Sequence, residues 1–306
     1  MKYAILPSIL TYLRAAVTPG SPSLRKPGRP PFDRRSMLCA FVCKALLGLP
    51  SENALHRELA RNPSLCELCG FLTVPSVRTL NRFRARRHRL IEAVFQKLAD
   101  RFAEIYGLGT HLAVDSTPIP VKKTDQDARK GYGTRGWFYG YKLHILASCE
   151  TKLPVRAVLT RGNRHDAPLL PRLLKAQPHT PGRYLLADAG YDSEENIATI
   201  WESGAAPLVQ LNRRRGLTTT KLGIRGRQGF PVGDPDWKRH MRWRSQVEGI
   251  FGRLKREFLR WGVPVKGFRN VKFHLLTYLC AMVAHALACI KLSCERVMLR
   301  IWEVFQ

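Results

Sequence analysis

One segment of the chain places a single carboxylate among cations. At 100° per residue of α-helix, Arg244 falls about 40° from Glu248 on a helical wheel and Lys255 about 20° from it on the same side, so the three share one stripe. The adjoining stripe is apolar, as a helix packed on a core requires, and consists of Val247, Phe251, Leu254 and Phe258. A lone acid flanked by phosphate-binding groups suits a carboxylate that holds a metal ion beside nucleic acid.

Two further acids follow apolar runs directly. Asp115 ends the run that begins at Leu112, and Asp188 ends the run that begins at Leu185. Taken singly, each is also typical of a turn or a helix cap. Carboxylates at the ends of neighbouring strands repel one another, and ionising them together is costly without a cation. Oxygen ligands suit Mg²⁺ or Mn²⁺, and two such ions about 4 Å apart can activate an attacking oxygen and stabilise a leaving one at phosphorus.

The elements that must position these acids begin at residue 111. Apolar runs predict strands at 111–117, 141–148, 154–160, 183–187 and 207–211. Helix-start signals at Asp166, Ser193 and Asp234 predict three helices, the second ended by Gly204 and the third running to about Trp261. The order β-β-β-α-β-α-β-α implies an α/β fold, a mixed sheet with helices on both faces. It is also the element order of the ribonuclease H-like fold.

The first hundred residues are predicted to be helical. Within them, the segment 75–89 begins with a helix-start signal and becomes very basic. Its arginines recur every three or four residues and would line one face: Arg78, Arg82, Arg86 and Arg89. This pattern fits a solvated surface helix, but we favour a DNA-contacting helix of a helix-turn-helix-like unit. The proline-rich segment 19–31 is interpreted as an extended basic arm.

The charge is distributed unevenly along the chain. The net charge of +28 exceeds what solubility needs and indicates a polyanionic partner. Residues 1–100 carry 17 basic and 6 acidic side chains and residues 210–272 carry 17 and 4, whereas residues 101–209 carry 14 and 11. Two basic regions therefore bracket a nearly neutral centre. With 45% hydrophobic residues the chain can bury a core that a ribosomal protein of this charge seldom has.

The cysteines and apolar segments indicate a cytoplasmic protein. Eight irregularly spaced cysteines do not suggest disulfides, and we prefer buried free thiols to a zinc site at Cys66 and Cys69. The apolar segment 273–290 approaches the length of a membrane span, but His274 and His285 favour a buried helix. Neither end resembles a targeting signal. We expect no membrane association and a location in the cytoplasm, at the nucleoid.

Other basic segments are less specific. Lys122 and Lys123, with the segment 129–141, mix cations with aromatic residues, as a surface that grips phosphate and stacks on an unpaired base would. Some of these aromatic residues could equally belong to the core of the second strand. A further basic loop is interpreted as phosphate-binding and contains Arg213, Arg214, Arg215, Lys221, Arg225 and Arg227.

The three acidic segments together resemble the DDE transposases of bacterial insertion sequences, the group marked by a Tyr-x2-Arg-x3-Glu-x6-Lys signature. Arg244, Glu248 and Lys255 match the signature, while Met241 occupies its Tyr position. The segments 141–144 and 162–166 also resemble recurrent segments of that family. The resemblance covers roughly residues 108–292.

The resemblance implies a complete mechanism. Asp115, Asp188 and Glu248 would hold two Mg²⁺ ions, with Mn²⁺ as a substitute. Water would attack the phosphodiester at the end of an insertion element, and the freed 3′-hydroxyl would attack target DNA. Arg244 and Lys255 would bind DNA phosphates rather than form salt bridges with Glu248, in a dimer when two element ends are paired.

The same resemblance implies three regions. Residues 1–107 would form a helical DNA-binding domain that recognises the terminal inverted repeats. Residues 108–292 would form the ribonuclease H-like catalytic domain, and residues 293–306 a C-terminal tail.

Two rival hypotheses remain open. The departure from the signature at Met241, together with a net charge that DNA binding alone would explain, fits a DNA-binding protein that derives from a transposase and has lost catalysis. A recombinase with a covalent Ser or Tyr nucleophile would also use arginine and histidine. No serine or tyrosine stands in a predicted strained turn beside a base, which disfavours it.

Overall fold

The computed structural model describes residues 2–18, 30–133, 136–175, 183–212, 223–260 and 262–305. The chain divides into two compact units, one formed by residues 1–102 and 257–306 and the other by residues 103–256. The predicted basic arm lies almost wholly outside the described residues, and Arg135, residues 213–215 and Lys221 lie wholly outside them.

The helices and strands are as follows, in chain order. The helices are α1 (Lys2–Ala16), α2 (Arg34–Leu46), α3 (Glu52–Arg61), α4 (Pro63–Cys69), α5 (Val77–Arg86), α6 (His88–Tyr106), α7 (Leu170–Lys175), α8 (Glu194–Glu202), α9 (Pro235–Met241), α10 (Gln246–Arg253), α11 (Phe268–Lys291) and α12 (Ile301–Phe305). The strands are β1 (His111–Pro120), β2 (Arg129–Gly133), β3 (Gly136–Ser148), β4 (Leu153–Arg161), β5 (Tyr184–Ala187) and β6 (Ala206–Val209).

The core of the first unit is built around α11. By length and composition this helix could cross a membrane, but 94% of its apolar window is buried, as predicted for a core helix. An all-round apolar helix needs partners on every side, and α1, α2 and α5 pack against it. Phe41, Phe83 and Phe273 form part of that contact, with ring centroids 5.0–6.1 Å apart.

The end of the chain packs in a different unit from the one predicted. Residues 257–292, assigned to the catalytic domain, lie in the helical unit, where α11 completes the core. The predicted tail also packs there, since Ile301 and Phe305 of α12 are buried.

The basic helix is shorter than predicted. Ser76 caps α5 by accepting a hydrogen bond from the Thr79 backbone, and the helix ends at Arg86. Arg89 therefore lies on the next helix, α6, and not on the same face. Arg78, Arg82 and Arg86 are exposed on α5 as predicted, while buried Leu80 faces the core.

The second unit contains a six-stranded mixed sheet, which confirms the predicted α/β class. β1 is central: it pairs antiparallel with β3 on one side and parallel with β5 on the other. β4 is antiparallel to β3, and β6 is parallel to β5. The three meandering strands and the two later parallel strands are the pattern that the element order indicated.

Strand β2 and the first residues of β3 were not predicted. A local rule assigns the glycines there to a loop, but they serve close packing against neighbouring backbone. A Cβ at Gly131 would lie 2.1 Å from the carbonyl oxygen of Gly162, and one at Gly140 would lie 2.2 Å from that of Ile119. Glycine is used here because neighbouring backbone leaves no room for a side chain.

The predicted long helix at 235–261 is wrong as a single α-helix. Asp234 caps α9 as expected, but a 3₁₀ segment at Arg242–Ser245 separates α9 from α10, and a π-helical segment follows at Leu254–Phe258. The wheel that placed Arg244, Glu248 and Lys255 on one stripe assumed a uniform 100° per residue, which neither flanking segment has.

The cysteines are as predicted. All eight are free thiols, and seven are buried. Cys43 and Cys69 approach most closely, with their sulfur atoms 3.8 Å apart. Burial raises the pKa of the Cys39 thiol to about 12, so it stays protonated and unreactive.

Candidate active site

Asp115 and Asp188 follow directly from the pairing of two parallel strands. Val114 of β1 lies opposite Ala187 of β5, so the next residue on each strand is an aspartate. The two carboxylates therefore start from adjacent positions at the carboxyl end of β5, beside the middle of β1, and ligands bind at such strand ends in open α/β folds.

Asp115 is held in a largely enclosed position, with its side chain 16% exposed. The Ser116 backbone N–H donates to its Oδ1 at 2.8 Å. Burial raises the pKa of Asp115 to about 6, and the nearby charges of Asp188 and Glu248 add to that rise. The Ser116 hydrogen bond and Arg244 oppose it. The carboxylate thus sits where a compensating cation would be stabilising.

Asp188 caps the 3₁₀ segment Ala189–Tyr191, and its Oδ1 accepts from the Gly190 backbone N–H at 3.0 Å. Burial raises the pKa of Asp188, and the charge of Asp166 raises it further. Arg244 acts in the opposite direction. Asp115 and Asp188 therefore share one electrostatic environment.

Arg244 joins Glu248 to this environment. Its Nη1 lies 3.4 Å from Asp115 Oδ2, and its Nη2 lies 3.7 Å from Glu248 Oε1. The predicted assignment of Arg244 to DNA phosphates stays a prediction, and in this structure its guanidinium lies between Asp115 and Glu248. Glu248 keeps a side chain that is 64% exposed, so it can reorient.

Asp166, for which the sequence predicts a helix cap, belongs to the same environment. It makes no side-chain cap hydrogen bond. Instead its Oδ2 accepts from Ser116 Oγ at 2.8 Å, and its Oδ1 accepts from Lys142 Nζ at 2.9 Å. The signal that could have found it is its place in the 162–166 segment, which follows β4. Ser116 thereby contacts two acids, since its N–H binds Asp115 and its hydroxyl binds Asp166.

A buried polar cluster around His144 lies near the acids. His144 Nε2 lies 3.0 Å from Thr160 Oγ1, and its Nδ1 lies 3.3 Å from the Tyr191 hydroxyl. Burial lowers the pKa of His144 to about 4, so the ring is neutral at physiological pH. His144 is thus a buried structural histidine near the site.

A second polar cluster positions the segment that carries Arg244 and Glu248. His111, at the start of β1, lies 2.8 Å from Glu150 through Nδ1 and 2.8 Å from His240 through Nε2. Trp243 stacks on His111 with centroids 5.1 Å apart. These contacts fix α9 and the 3₁₀ segment against the sheet, and so fix the entry to α10.

The acids offer the donor chemistry of a divalent-metal site. Carboxylate oxygens on two strand ends and one helix are the ligands that Mg²⁺ and Mn²⁺ prefer. Within the described ranges no three His, Cys, Asp or Glu side chains are grouped closely enough to hold one ion. The positive charge near Asp115 and Glu248 comes from Arg244. The residues fit a divalent metal ion in donor type but not in spacing, since no three described side chains lie close enough to share one ion.

The remaining predicted residues lie apart from the acids or on the surface. Lys255 is exposed in the π-helical segment, and Lys122 and Lys123 are exposed after β1. Arg225 is not a phosphate-binding loop residue in this structure: it is buried and pairs with Asp192 through two hydrogen bonds. Met241, at the signature's Tyr position, is buried with 8% exposure.

Two family models match the chain. The Transposase DDE domain model matches residues 106–284, which is more than half of the chain. The chain belongs to the Transposase DDE domain family. The Transposase domain (DUF772) model matches residues 5–86, which include α2 to α5. The DDE family generally uses divalent metal ions, in agreement with the donor chemistry of the acids.

Two curated relatives of this DDE-family chain come from Halobacterium salinarum. Two strains of Halobacterium salinarum, ATCC 29341 / DSM 671 / R1 and ATCC 700922 / JCM 11081 / NRC-1, each have a probable transposase for insertion sequence element ISH11. Each is 26% identical over 163 residues, covering 52% of this chain and 49% of the relative. The chain thus spans about half the length of the curated relatives it matches.

A solved structure shares the fold of this DDE-family chain. It is the cryo-EM structure of a piggyBac transposase synaptic complex with hairpin DNA, with a TM-score of 0.50 and 11% identity. The match covers 98% of this chain and 77% of the other. With the strand order described above, it confirms the ribonuclease H-like fold.

Proposed function

We propose that this DDE-family protein is a transposase that cleaves DNA at the ends of an insertion element and joins the freed ends to target DNA. The observation that carries the proposal is the register of β1 and β5, which brings Asp115 and Asp188 to adjacent positions within the influence of Arg244. Glu248 contacts the same arginine.

Asp115, Asp188 and Glu248 are the residues that would hold two Mg²⁺ ions, or Mn²⁺ in their place. When bound, such ions supply activation of the attacking oxygen and stabilisation of the leaving oxygen at phosphorus. The raised pKa values of Asp115 and Asp188 support this assignment, because both sites favour an added positive charge.

Other residues of the chain would bind and orient the DNA strand. Arg244 presents a planar guanidinium that can exchange its carboxylate partners for a phosphate. Lys255, exposed beyond α10, would contact a phosphate further along the strand. Positioning and charge stabilisation then account for catalysis without a protein nucleophile.

The proposed partner is DNA, as terminal inverted repeats and as target. Arg78, Arg82 and Arg86 are exposed on α5, and Lys122 and Lys123 are exposed after β1. These cations would contact DNA phosphates. We retain residues 1–107 as the DNA-binding region and 108–292 as the catalytic region, of which residues 257–292 pack in the helical unit. Pairing of two element ends requires a dimer during the reaction, acting on nucleoid DNA in the cytoplasm.

The test is strand cleavage of a duplex carrying the inverted repeats that flank this gene, with Mg²⁺, with Mn²⁺ and with a chelator. The proposal expects metal-dependent cleavage that leaves a free 3′-hydroxyl. Tight binding without cleavage in either metal would instead indicate the catalytically inactive DNA-binding protein. A protein–DNA adduct on a suicide substrate would indicate a covalent recombinase.

A further inference from the structure

The hairpin formed by β2 and β3 carries an exposed aromatic pair. Tyr132 and Trp137 lie directly opposite each other in the ladder, with ring centroids 5.3 Å apart in an edge-to-face arrangement. Their exposed fractions are 64% and 68%. Lys130, two residues before Tyr132 on the same face, places Nζ 4.5 Å from the Trp137 ring centroid. We call these three residues the hairpin platform.

The opposite face of the hairpin anchors it. Phe138, between Trp137 and Tyr139 on β3, points to the other side and packs against the backbone at Gly131 and Gly162. A Cβ at Gly133 would lie 2.7 Å from Pro118 of β1. Because successive side chains of β3 point to opposite faces, the aromatic residues that the sequence left unassigned lie on different faces of the hairpin. Phe138 packs inward, and Trp137 faces solvent.

The platform is not explained by packing. Tryptophan and tyrosine are normally largely buried, and an exposed pair held edge to face by its own strands leaves apolar area in water. Exposed cations lie nearby in the chain: Arg129 begins β2, and Lys122 and Lys123 lie in the connection between β1 and β2. Neither β2 nor β3 contains an acidic residue. The platform therefore suits a ligand that is both planar and anionic.

The platform lies in the direction in which β1 continues beyond Asp115. Asp115 pairs with Ile145, and Trp137 lies eight residues before Ile145 on β3, a distance of about 26 Å along an extended strand. The carboxyl end of β1 runs in the same direction, because β1 and β3 are antiparallel. A nucleic-acid strand leaving the acids in that direction would meet the hairpin.

We propose that the hairpin platform binds an unpaired nucleobase of a DNA strand, which stacks on Trp137 and Tyr132 while Lys130 contacts the neighbouring phosphate. Aromatic stacking accepts any base, whereas the edges of paired bases in a duplex offer no free face. The inference deepens the proposed function, since it names single-stranded DNA as a ligand of the same unit, but it does not need the acids to be catalytic.

The test is equilibrium binding of a single-stranded oligonucleotide that contains 2-aminopurine, whose fluorescence falls on stacking. Trp137→Ala and Tyr132→Ala should each weaken single-strand binding by about 5- to 100-fold and reduce the quenching. Trp137→Phe should recover most of the affinity. Binding of the same sequence as a blunt duplex should change by less than about twofold.

Trp201→Ala is the matched control, because Trp201 is an exposed tryptophan of the same unit, on α8. It should leave both affinities unchanged, and a thermal-unfolding scan should show every variant folded. Equal weakening of single-strand and duplex binding by Trp137→Ala would overturn the proposal, and so would unchanged single-strand binding. Unchanged binding would leave the platform as a protein-docking surface. Asp188→Asn separates the two claims, since it should abolish cleavage and leave the quenching intact.

Discussion

Asp115, Asp166 and Asp188 share one electrostatic environment and differ in what their carboxylates contact. Asp115 accepts from a backbone N–H and faces Arg244, and Asp188 caps a 3₁₀ turn. Asp166 binds a lysine and a serine hydroxyl. Asp115 and Asp188 were predictable because each directly follows an apolar run of the sequence. Asp166 was not, because an acid before Ala-Pro is equally typical of a helix cap and only the fold brings Lys142 to it.

Asp166→Asn should slow DNA cleavage by about 10- to 100-fold. The change removes the charge that pairs with Lys142, and a hydrogen bond to a charged group contributes about 1.5–3 kcal/mol. Single-turnover cleavage measures the effect, and DNA affinity should change less than threefold. Lys142→Met combined with Asp166→Asn should be non-additive. The control is Asp236→Asn, an exposed acid paired with Arg239 in the same unit, which should be neutral.

His144→Gln should reduce the loss of stability in acid. Burial lowers the pKa of His144 from its usual value near 6.5 to about 4, so the unfolded chain binds a proton that the folded protein excludes. Stability from this group is complete above pH 6.5 and falls between pH 6.5 and 4, by about 3 kcal/mol. Denaturant unfolding across that range measures it. An identical pH dependence in wild type and His144→Gln would contradict the account, and His165→Gln, at an exposed position, is the control.

At the scale of elements, periodicity and turn signals predicted five of the six strands and the caps at Ser193 and Asp234. Two features escaped. The glycines of β2 are a packing requirement of the tertiary structure, which a local rule interprets as a loop. The break between α9 and α10 is fixed by the stacking of Trp243 and His240 on other parts of the unit, and no local sequence signal marks it.

Gly252→Ala should raise the stability of the protein and at the same time hinder the close approach of DNA to α10. A Cβ at Gly252 would meet only Arg256 Nη1, at 3.8 Å, so the substitution fits and should raise the free energy of unfolding by about 0.5–1 kcal/mol. Because Gly252 shares the face of α10 with Glu248, the new methyl should nevertheless weaken DNA binding and cleavage. Gly249→Ala, with nothing within 4 Å on another face of α10, should stabilise equally and leave cleavage intact. Equal cleavage by both variants would argue against close approach of DNA at Gly252.

Neutralising the exposed arginines of α5 should lower the salt dependence of DNA binding. Each of Arg78→Gln, Arg82→Gln and Arg86→Gln removes one phosphate contact, so the slope of log affinity against log salt should become shallower by about 0.9 per contact. Arg61→Gln, an exposed arginine on α3, is the control. Unchanged slopes in all three variants would remove α5 from the DNA interface. Arg84 is unsuitable for this test, because it pairs with Glu52 at 2.5 Å.

At the scale of the whole molecule, charge and chain order predicted a basic helical region followed by a ribonuclease H-like region. They did not predict that the chain returns to the helical unit, where α11 fills the core. An apolar helix of 24 residues carries no signal for which unit buries it. The net charge of +28 predicts an anionic partner, and the acids among those cations predict chemistry on it.

The central claim is that Asp115, Asp188 and Glu248 carry DNA cleavage. The most direct measurement is single-turnover cleavage of element-end DNA in Mg²⁺ by Asp115→Asn, Asp188→Asn and Glu248→Gln, beside the DNA affinity of each. We predict that every variant loses at least about 1,000-fold in rate, or about 4 kcal/mol of transition-state stabilisation, and binds DNA within threefold of wild type. Cleavage by Asp188→Asn at the wild-type rate would contradict the account.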